Sequence, residues 1–568
     1  MNFFQTTKNI IFIIAIFFAL FAAPCVKAAN FATDLNFYID SNYDTSDRSQ
    51  ISATLIKTTP NLYFYVEKSW WDSQLQTKQS EILSNINSLS VEFQNKIYPT
   101  LTSIFGSEWK PGVDGDEKIT ILFHPMKEGA GGYFREADEY LKLQTSDSNE
   151  KEMLYLSISK IGDLNLKVLL AHEFTHLIIF NQKNRIFGVQ EDAWLNEGRA
   201  DYSSTILGYD DPYSGSNLQK RVQAFLEKPT DSLTEWQENK YDYGVVSLFT
   251  HYLVDHYSID ILIGSLKNKF VGINSINYIL QKNGIKEDFS QVFTNWTIAS
   301  VINDCTLNTK YCYLDKNLKN FKLNPAFNFL PLSGDSSLSV TNVTKKWSGN
   351  WQKIIGGSGD LKLVFSSLVG LDIKVPYVIF EKDNSYSVNF LKLDAKEQGE
   401  IIINSFGQDY NSLIIIPSLQ TRTSGFDSAE PTYPYTFTVS VTGEVPQEDQ
   451  ILIQKLLDQI ASLKKQIADI IAQKGGNNNG PCAIVSNLYI GISNNSEVSC
   501  LQSFLKAQGF DIYPEGLVTG NFGSLTRLAV IRFQEKYKSE ILTPIGLSFG
   551  TGVVGPATRA KINQLASL

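Results

Sequence analysis

Two histidines four residues apart, His172 and His176, constrain the fold of this chain more than any other feature. Side chains at positions i and i+4 project from the same face of a helix, so the two imidazoles can reach one cation only if this segment is helical. Apolar residues fill both flanks of the pair, at 168–171 and 177–180, which predicts a helix buried on most sides. Such a helix would hold metal ligands rigidly.

Three acidic residues complete a candidate zinc site around this pair. Glu197 is the candidate third ligand, since two histidines and one carboxylate leave a fourth position open for water, as in catalytic zinc sites. Glu173 lies beside the first histidine and is placed for proton transfer as a general base. Asp201 follows Glu197 by one helical turn, where a carboxylate can accept the second N–H of a ligand imidazole. The predicted cofactor is therefore Zn²⁺.

The segment 171–202 resembles the gluzincin metallopeptidases, in which the histidine pair is completed by a glutamate from a second helix. The run 194–198 is similar to the third-ligand segment of hyicolysin-type enzymes, and Asp201 stands where the family has a ligand-orienting aspartate. The run 129–134 lacks the amine-binding glutamate that gluzincin aminopeptidases require. The resemblance therefore implies a hyicolysin-like, zinc-dependent metalloendopeptidase with an α+β catalytic domain.

A second donor must stabilise the oxyanion of peptide hydrolysis together with the zinc ion. Tyr241 is the predicted catalytic donor, because the run 241–244 is similar to the Tyr-x-x-Gly segment of related gluzincins. Tyr243 and His251 are the alternatives, and the sequence leaves the choice among the three open.

Length and charge limit the organisation of the chain and its partners. A chain of 568 residues is too long for one core, so several globular units are expected. The net charge of -9 offers no basic face for phosphate binding, which argues against nucleic acid as a partner. The uncharged run 10–23, with Lys8 before it and small residues after it, predicts a signal peptide over 1–29 and a secreted or cell-surface protein. A retained N-terminal anchor is the alternative.

Four cysteines follow the predicted signal peptide and fall into two local pairs, Cys305 with Cys312 and Cys482 with Cys500. In an exported protein the simplest inference is two disulfides that close short loops. Free buried thiols are the alternative.

The pattern of apolar residues predicts a multidomain chain. Mixed helical and strand patterns over 30–324 surround the zinc motif, and short apolar runs over 325–445 predict a β-sandwich accessory domain, either a spacer or a substrate-binding domain. Apolar residues spaced alternately three and four positions apart over 446–474 predict a short coiled coil, which would form a weak homo-oligomer. A solvated helical stalk is the alternative. A flexible linker at 475–480 follows.

The last segment, 481–568, carries a second resemblance. Its pattern, which includes Leu501, Phe533 and the run 552–559, is similar to the peptidoglycan-binding domain of bacterial wall enzymes, a small α-helical bundle. An insertion near 539–549 interrupts the pattern. The resemblance implies peptidoglycan or another surface polymer as a partner of this segment, and places Leu501 and Phe533 in its core.

Together these features predict a secreted, cell-wall-associated zinc endopeptidase that hydrolyses peptide bonds of protein substrates, with zinc-activated water and Glu173 as the general base. Two alternatives stay open. One is a zinc peptidase that acts on the peptide stems of peptidoglycan. The other is an inactive surface-binding protein with a structural metal site, against which Glu173 argues because such a site has no use for a base.

Overall fold

A computed structural model describes six stretches of the chain, namely 34–332, 334–426, 428–442, 454–466, 483–514 and 516–566. The chain divides into two compact units, 1–447 and 448–568, each of which is treated by itself. The predicted signal peptide over 1–29 and the predicted linker over 475–480 lie outside the described residues. Within the described stretches, no helix combines the length and the apolar character needed to cross a membrane.

The first unit begins with a six-stranded sheet in the order β1-β2-β3-β4-β6-β5. Its strands are β1 (Asp34–Tyr38), β2 (Gln50–Thr58), β3 (Leu62–Glu67), β4 (Ile119–His124), β5 (Gly132–Phe134) and β6 (Met153–Ser157). Strands β3, β4 and β6 run parallel, and the outermost strand β5 is antiparallel to β6. The parallel strands are buried along almost their whole length, as expected for a sheet covered on both faces.

Four helices accompany this sheet: α1 (Lys68–Ser73), α2 (Gln76–Glu92), α3 (Tyr98–Phe105) and α4 (Leu166–Ile179). A π-helical turn at Phe93–Ile97 separates α2 from α3, within the stretch whose sequence has helical periodicity. Helix α4 carries the histidine pair, and its Leu170, Phe174 and Ile178 are fully buried in the core. The apolar flanks of the motif thus lock α4 between the sheet and the helices that follow.

A helical lobe follows, made of α5 (Ala193–Ile206), α6 (Asn217–Glu227), α7 (Lys240–Tyr257), α8 (Asp260–Leu266), α9 (Gly272–Lys282) and α10 (Phe289–Ile302). One apolar core joins this lobe to the sheet and to α4. Beyond α10, Cys305 and Cys312 form the predicted disulfide, with their Cα atoms 5.1 Å apart. Cys482 lies outside the described residues, so its pairing with Cys500 stays a prediction.

Ten strands follow in one sheet. They are β7 (Ala326–Leu330), β8 (Ser336–Thr344), β9 (Gln352–Gly356), β10 (Gly359–Ser367), β11 (Ile373–Glu381), β12 (Tyr386–Leu391), β13 (Gln398–Phe406), β14 (Tyr410–Ile415), β15 (Ser418–Leu419) and β16 (Tyr433–Thr442). The sheet has two arms, β12-β11-β14-β9-β7 and β13-β10-β16-β8, joined where Phe406 pairs with Tyr410. Both arms contribute side chains to one apolar core, such as Leu413 from the first and Phe437 from the second. We call residues 326–442 the β domain.

The β domain is fixed on the helical lobe. Trp347 and Trp351 belong to the apolar core of that lobe rather than to the core of the β domain. The indole N–H of Trp351 also donates to the Thr297 carbonyl, on α10, at 2.8 Å. The β domain is therefore packed on the helical lobe and not joined to it by a linker alone.

The second unit begins with a helix over 454–466, the described part of the predicted coiled coil. Its apolar side chains are about half exposed, with values of 49% for Leu456, 48% for Ile460 and 55% for Leu463. These residues form an apolar stripe on the helix surface. A homo-oligomer through this helix stays a prediction.

The rest of the second unit is a small helical domain with α11 (Ser496–Ala507), α12 (Ser524–Lys536), α13 (Lys538–Ile541) and α14 (Pro556–Ala566). Leu501 and Phe533 are fully buried in its core, as predicted. Gln502 and Gln534 make equivalent hydrogen bonds to two glycine turns. The carboxamide oxygen of Gln502 accepts the N–H of Gly520, and that of Gln534 accepts the N–H of Gly552, each at 2.9 Å. The insertion near 539–549 contains α13 and lies after the second of these glutamines.

Candidate metal centre and cleft

Helices α4 and α5 bring the three predicted ligands together. His172 and His176 project from α4, and their Nε2 atoms lie 3.1 Å apart. Glu197 on α5 places Oε2 at 3.2 Å from His172 Nε2 and Oε1 at 3.6 Å from His176 Nε2. The ligand atoms lie within 4.8 Å of one another, and among the described residues this is the one cluster of His, Cys, Asp or Glu side chains that could hold a metal ion.

The arrangement fits a zinc ion. Ligands at bonds of about 2.0–2.1 Å in a tetrahedral shell stand roughly 3.3 Å apart, close to the spacing found here. Glu197 Oε2 is buried and has no hydrogen-bond partner among the described residues. His176 Nδ1 lies 3.1 Å from Asn196 Oδ1, which accepts its N–H, so Nε2 is the imidazole nitrogen that faces the other ligands. A buried carboxylate oxygen and an imidazole lone pair that face one point are what a cation requires.

Electrostatics support the same fit. Burial lowers the pKa of His176, but the Glu197 carboxylate outweighs this effect and raises the pKa to about 9. Burial raises the pKa of Glu197, and the His176 and His172 imidazoles outweigh it, holding that pKa well below its usual range. In the absence of a cation the site therefore retains a proton between carboxylate and imidazole, which a metal ion would displace.

Asn196 and Asp201 flank the ligands on α5. Asn196 orients His176, a role that was not predicted, although its place directly before the ligand glutamate was a usable signal. Asp201 lines the cleft, but its hydrogen bonds run to Arg221, at 2.9 and 3.0 Å, and to Asn217. Burial raises the Asp201 pKa, and Arg221, followed by the more weakly acting His172, brings it below its usual range. Asp201, the predicted ligand-orienting residue, thus interacts electrostatically with His172, while its hydrogen bonds come from Asn217 and Arg221 of α6.

Glu173 is buried, with 5% of its surface exposed, and lines the cleft beside the ligands. Burial raises the pKa of its carboxyl, against the opposing imidazoles of His172 and His176. Gly132 on β5 packs directly on this side chain, since a Cβ at that position would lie 3.2 Å from Glu173 Cγ and 2.8 Å from the Tyr155 carbonyl oxygen. The edge strand can approach the candidate base this closely only because residue 132 has no side chain.

The cleft has two lobes, of about 550 and 390 Å³, that meet at the ligands. His172, Glu173 and Glu197 line both lobes, as do Tyr43 and Tyr243. The first lobe extends along the N-terminal side of β5, and the second along its C-terminal side. An extended chain lying along β5 would therefore cross the ligands.

Of the three candidate donors, Tyr243 is the one that lines both lobes beside the ligands. Its ring centroid lies 6.4 Å from that of His172, and burial raises the pKa of its hydroxyl far above the usual range. Its hydroxyl has no hydrogen-bond partner within the described part of the chain, so it is available to a substrate.

The other two candidate donors lie elsewhere. Tyr241 does not line either lobe, and its ring packs against Lys228 and Lys240 at 5.3 and 5.1 Å. His251 is buried, with Nε2 3.0 Å from Thr205 Oγ1 and Nδ1 2.9 Å from the Ser247 carbonyl. The geometry therefore favours Tyr243 over the predicted Tyr241.

Residues 494–562 match a family described as putative peptidoglycan binding domain. This match supports a peptidoglycan-binding domain in the second unit and is consistent with association with the cell wall. No curated protein matches the chain.

Solved structures with local similarity are each of low score. The mitogen derived from Yersinia pseudotuberculosis is 12% identical, with 20% of this chain and 92% of that chain covered and a TM-score of 0.14. The pre-peptidase C-terminal domain of a collagenase from Bacillus anthracis is 10% identical, with 20% and 96% covered and a TM-score of 0.14. PliG of Salmonella Typhimurium, a periplasmic lysozyme inhibitor, is 14% identical, with 20% and 96% covered and a TM-score of 0.13. Similarities at these scores carry no argument about the fold or function of this chain.

Proposed function

We propose that this chain is a zinc-dependent endopeptidase of the hyicolysin-like gluzincin type, held at a bacterial cell wall by its C-terminal domain. The observation that carries the proposal is the convergence of His172, His176 and Glu197 at the junction of two open lobes. A structural zinc site is closed by a fourth protein ligand, whereas a catalytic site keeps that position open. The three-ligand set beside a buried glutamate favours catalysis.

Zinc, when bound, supplies a water of lowered pKa and polarises the scissile carbonyl. Glu173 takes up a proton at its carboxylate and returns it to the leaving amine. Burial raises the pKa of this carboxyl, which suits a group that must hold a proton between the two transfers. Tyr243 donates its free hydroxyl to the oxyanion, and Asn196 fixes the orientation of His176.

Strand β5 gives the substrate a place to bind. It is the outermost strand of its sheet, and Gly132 at its start lines both lobes. Exposed strand edges hold extended peptides through main-chain hydrogen bonds. A peptide antiparallel to β5 would carry its N-terminal part along the second lobe and its C-terminal part along the first.

The decisive experiment replaces the candidate base. Glu173→Gln should lower turnover of a casein or peptide substrate roughly 10³-fold or more, because the amide cannot accept the proton. Zinc content, measured by elemental analysis, should stay near one ion per chain in this variant. Glu128→Gln, an exposed change in the neighbouring loop, serves as the control and should leave turnover unchanged. Full activity of the Glu173→Gln enzyme would refute the proposal.

A second substrate class is favoured by the peptidoglycan-binding domain at 494–562. This domain would bring the cleft to the peptide stems of the wall as readily as to wall proteins. Purified sacculi and casein, assayed side by side with the same enzyme preparation, separate the two. Release of soluble stem peptides from sacculi without casein cleavage would replace the protein substrate with peptidoglycan.

A further inference from the structure

The loop 228–239, between α6 and α7, forms one wall of the cleft. Trp236 lines the first lobe, and Glu238 lines both lobes. The Trp236 ring meets the ring of Tyr243 edge-on, with centroids 4.9 Å apart and planes at 74°. Arg221 also packs on the Tyr243 ring, with its Cζ 4.3 Å from the centroid. The orientation of the candidate donor therefore depends on Trp236 as well as on α7.

The β domain holds the first half of this loop. Ser232 Oγ donates to the carbonyl of Lys346 at 2.7 Å, and the Leu233 N–H donates to the carbonyl of Trp347 at 2.9 Å. Ser348 Oγ donates to a carbonyl of the same loop at 2.6 Å. Main-chain partners of this kind fix the backbone of the loop and not only its side chains.

A buried ion pair adds to these hydrogen bonds. Lys345 Nζ lies 2.5 and 2.7 Å from the two carboxylate oxygens of Glu235, the residue directly before Trp236. The Glu235 side chain is 1% exposed, so this carboxylate has little access to water. A buried carboxylate needs its cation, and the pair therefore ties the loop firmly to the β domain.

The anchoring segment is itself rigid. Trp347 is 1% exposed, and its indole N–H donates to the carbonyl of Arg422 at 2.8 Å. Its ring packs on Phe289 and Phe293 of α10, with centroids 5.0 and 5.3 Å away. The segment 345–348 is thus part of the joint between the β domain and the helical lobe.

The second half of the loop is held by α7. Asp242 Oδ2 accepts the backbone N–H groups of Gln237 and Asn239, at 2.9 and 3.0 Å, in the capping box of this helix. Trp236 stands between this anchor and the anchor on the β domain.

We propose that residues 345–348 of the β domain position Tyr243 for catalysis through the loop 228–239, with Trp236 as the positioning residue. This inference rests on the proposed function of the cleft. It makes the β domain part of the active-site architecture, because the hydrogen bonds of Ser232, Leu233 and Ser348 and the ion pair of Glu235 hold the part of the loop that directly precedes Trp236. Loss of this support would change the orientation of the Tyr243 hydroxyl in the cleft but would leave the three candidate metal ligands in place.

A double-mutant cycle tests the role of Trp236. Trp236→Ala should lower kcat roughly 10-fold, with KM within about twofold, because the donor loses its orientation while substrate binding is retained. Trp236→Phe, which keeps an aromatic edge against Tyr243, should restore most of kcat. In a Tyr243→Phe background, Trp236→Ala should cost nothing further. An equal loss from Trp236→Ala in both backgrounds would overturn the inference.

A paired substitution tests the role of the β domain. Glu235→Gln with Lys345→Met removes both charges together, so that no charge is left buried without its partner. This variant should show faster hydrogen exchange across 230–239 and a kcat several-fold lower. The control is Lys362→Met with Glu400→Gln, which removes an exposed ion pair of 2.8 Å in the same domain and should change neither quantity.

The outcomes separate the inference from the proposed function. Unchanged exchange and unchanged kcat in the Glu235→Gln, Lys345→Met variant would overturn the coupling between the β domain and the cleft. A wild-type protein without peptidase activity would refute the proposed function, and with it the catalytic part of the inference. Hydrogen exchange would still report whether the β domain holds the loop.

Discussion

Helix α7 turns by about 200° between Tyr241 and Tyr243, since each residue advances the helix by roughly 100°. The two phenols therefore leave opposite faces of the helix, one toward the lysines and one toward the cleft. At the scale of a single residue, this rotation decides which tyrosine borders the cleft.

The matched pair Tyr243→Phe and Tyr241→Phe tests that assignment. Tyr243→Phe should lower kcat roughly 10²–10³-fold, the usual cost of losing one oxyanion donor. Tyr241→Phe should stay within about twofold of the wild type, because its ring only packs against lysines. Steady-state kinetics on one peptide substrate measures both. The reverse order of effects would return the donor role to Tyr241.

Glu152 makes the stability of the first unit depend on pH. Its side chain is buried, with Oε1 accepting the Val113 N–H at 2.8 Å and Oε2 unpartnered within the described chain. Burial raises its pKa from 4.5 to about 7. The folded state therefore keeps a proton that the unfolded chain releases, and the free energy of unfolding falls as pH rises from about 4.5 to about 7, by about 3 kcal/mol.

Glu152→Gln keeps the acceptor for Val113 and removes this titration. The variant should show a shallower fall in stability between pH 5 and pH 7 and should be more stable than the wild type above pH 7. Denaturant unfolding at several pH values measures the difference, with exposed Glu117→Gln as the control. The same pH slope in Glu152→Gln as in the wild type would show that another group is responsible.

At the scale of elements, the contact between β5 and α4 sets the distance between β5, the strand along which we propose that a peptide binds, and the candidate base Glu173. A Cβ at Gly132 would lie 2.8 Å from the Tyr155 carbonyl oxygen and 2.9 Å from Leu156 Cδ2, closer than packed atoms approach. Gly132→Ala should therefore push β5 from its place, with a loss of about 1–3 kcal/mol in stability. Turnover should fall by a larger factor than the fraction of folded enzyme does at the assay temperature.

Thermal unfolding and peptide turnover of Gly132→Ala measure the two effects. Gly523→Ala is the control, because a Cβ at that position meets no atom within 4 Å. A Gly132→Ala enzyme with wild-type turnover would mean that the substrate does not rest on β5.

The two compact units belong to the scale of the whole molecule. The first unit, 1–447, contains the cleft and the β domain that supports its wall, whereas the match to a peptidoglycan-binding domain lies in the second unit. We expect wall binding and peptide turnover to be separable for this reason.

A chain ended at Gln447 tests this separation. It should keep peptide turnover within about twofold, because every cleft residue and its supports lie before that position. It should no longer sediment with purified sacculi, a loss of at least roughly tenfold in bound fraction given the removal of a whole binding module. Undiminished sedimentation of the shortened chain would place wall binding in the first unit.

The sequence by itself determined the short-range features of this protein. The spacing of His172 and His176 is that of one helix face, and the surrounding apolar residues bury the helix, so the helix and its histidine pair could be predicted without a fold. The local cysteine pair likewise predicted the bond between Cys305 and Cys312. These features depend on neighbours along the chain, whose periodicity is visible in the sequence.

Only the tertiary structure decided the features that depend on distant segments. It placed the ring of Tyr243, and not that of Tyr241, at the cleft, since the face of α7 that borders the cleft is set by packing against other helices. It joined the β domain to the cleft wall through Glu235 and Lys345, which are 110 positions apart in the chain. No periodicity records such a pair, because contacts between remote segments arise from how the elements pack and not from the order of residues within them.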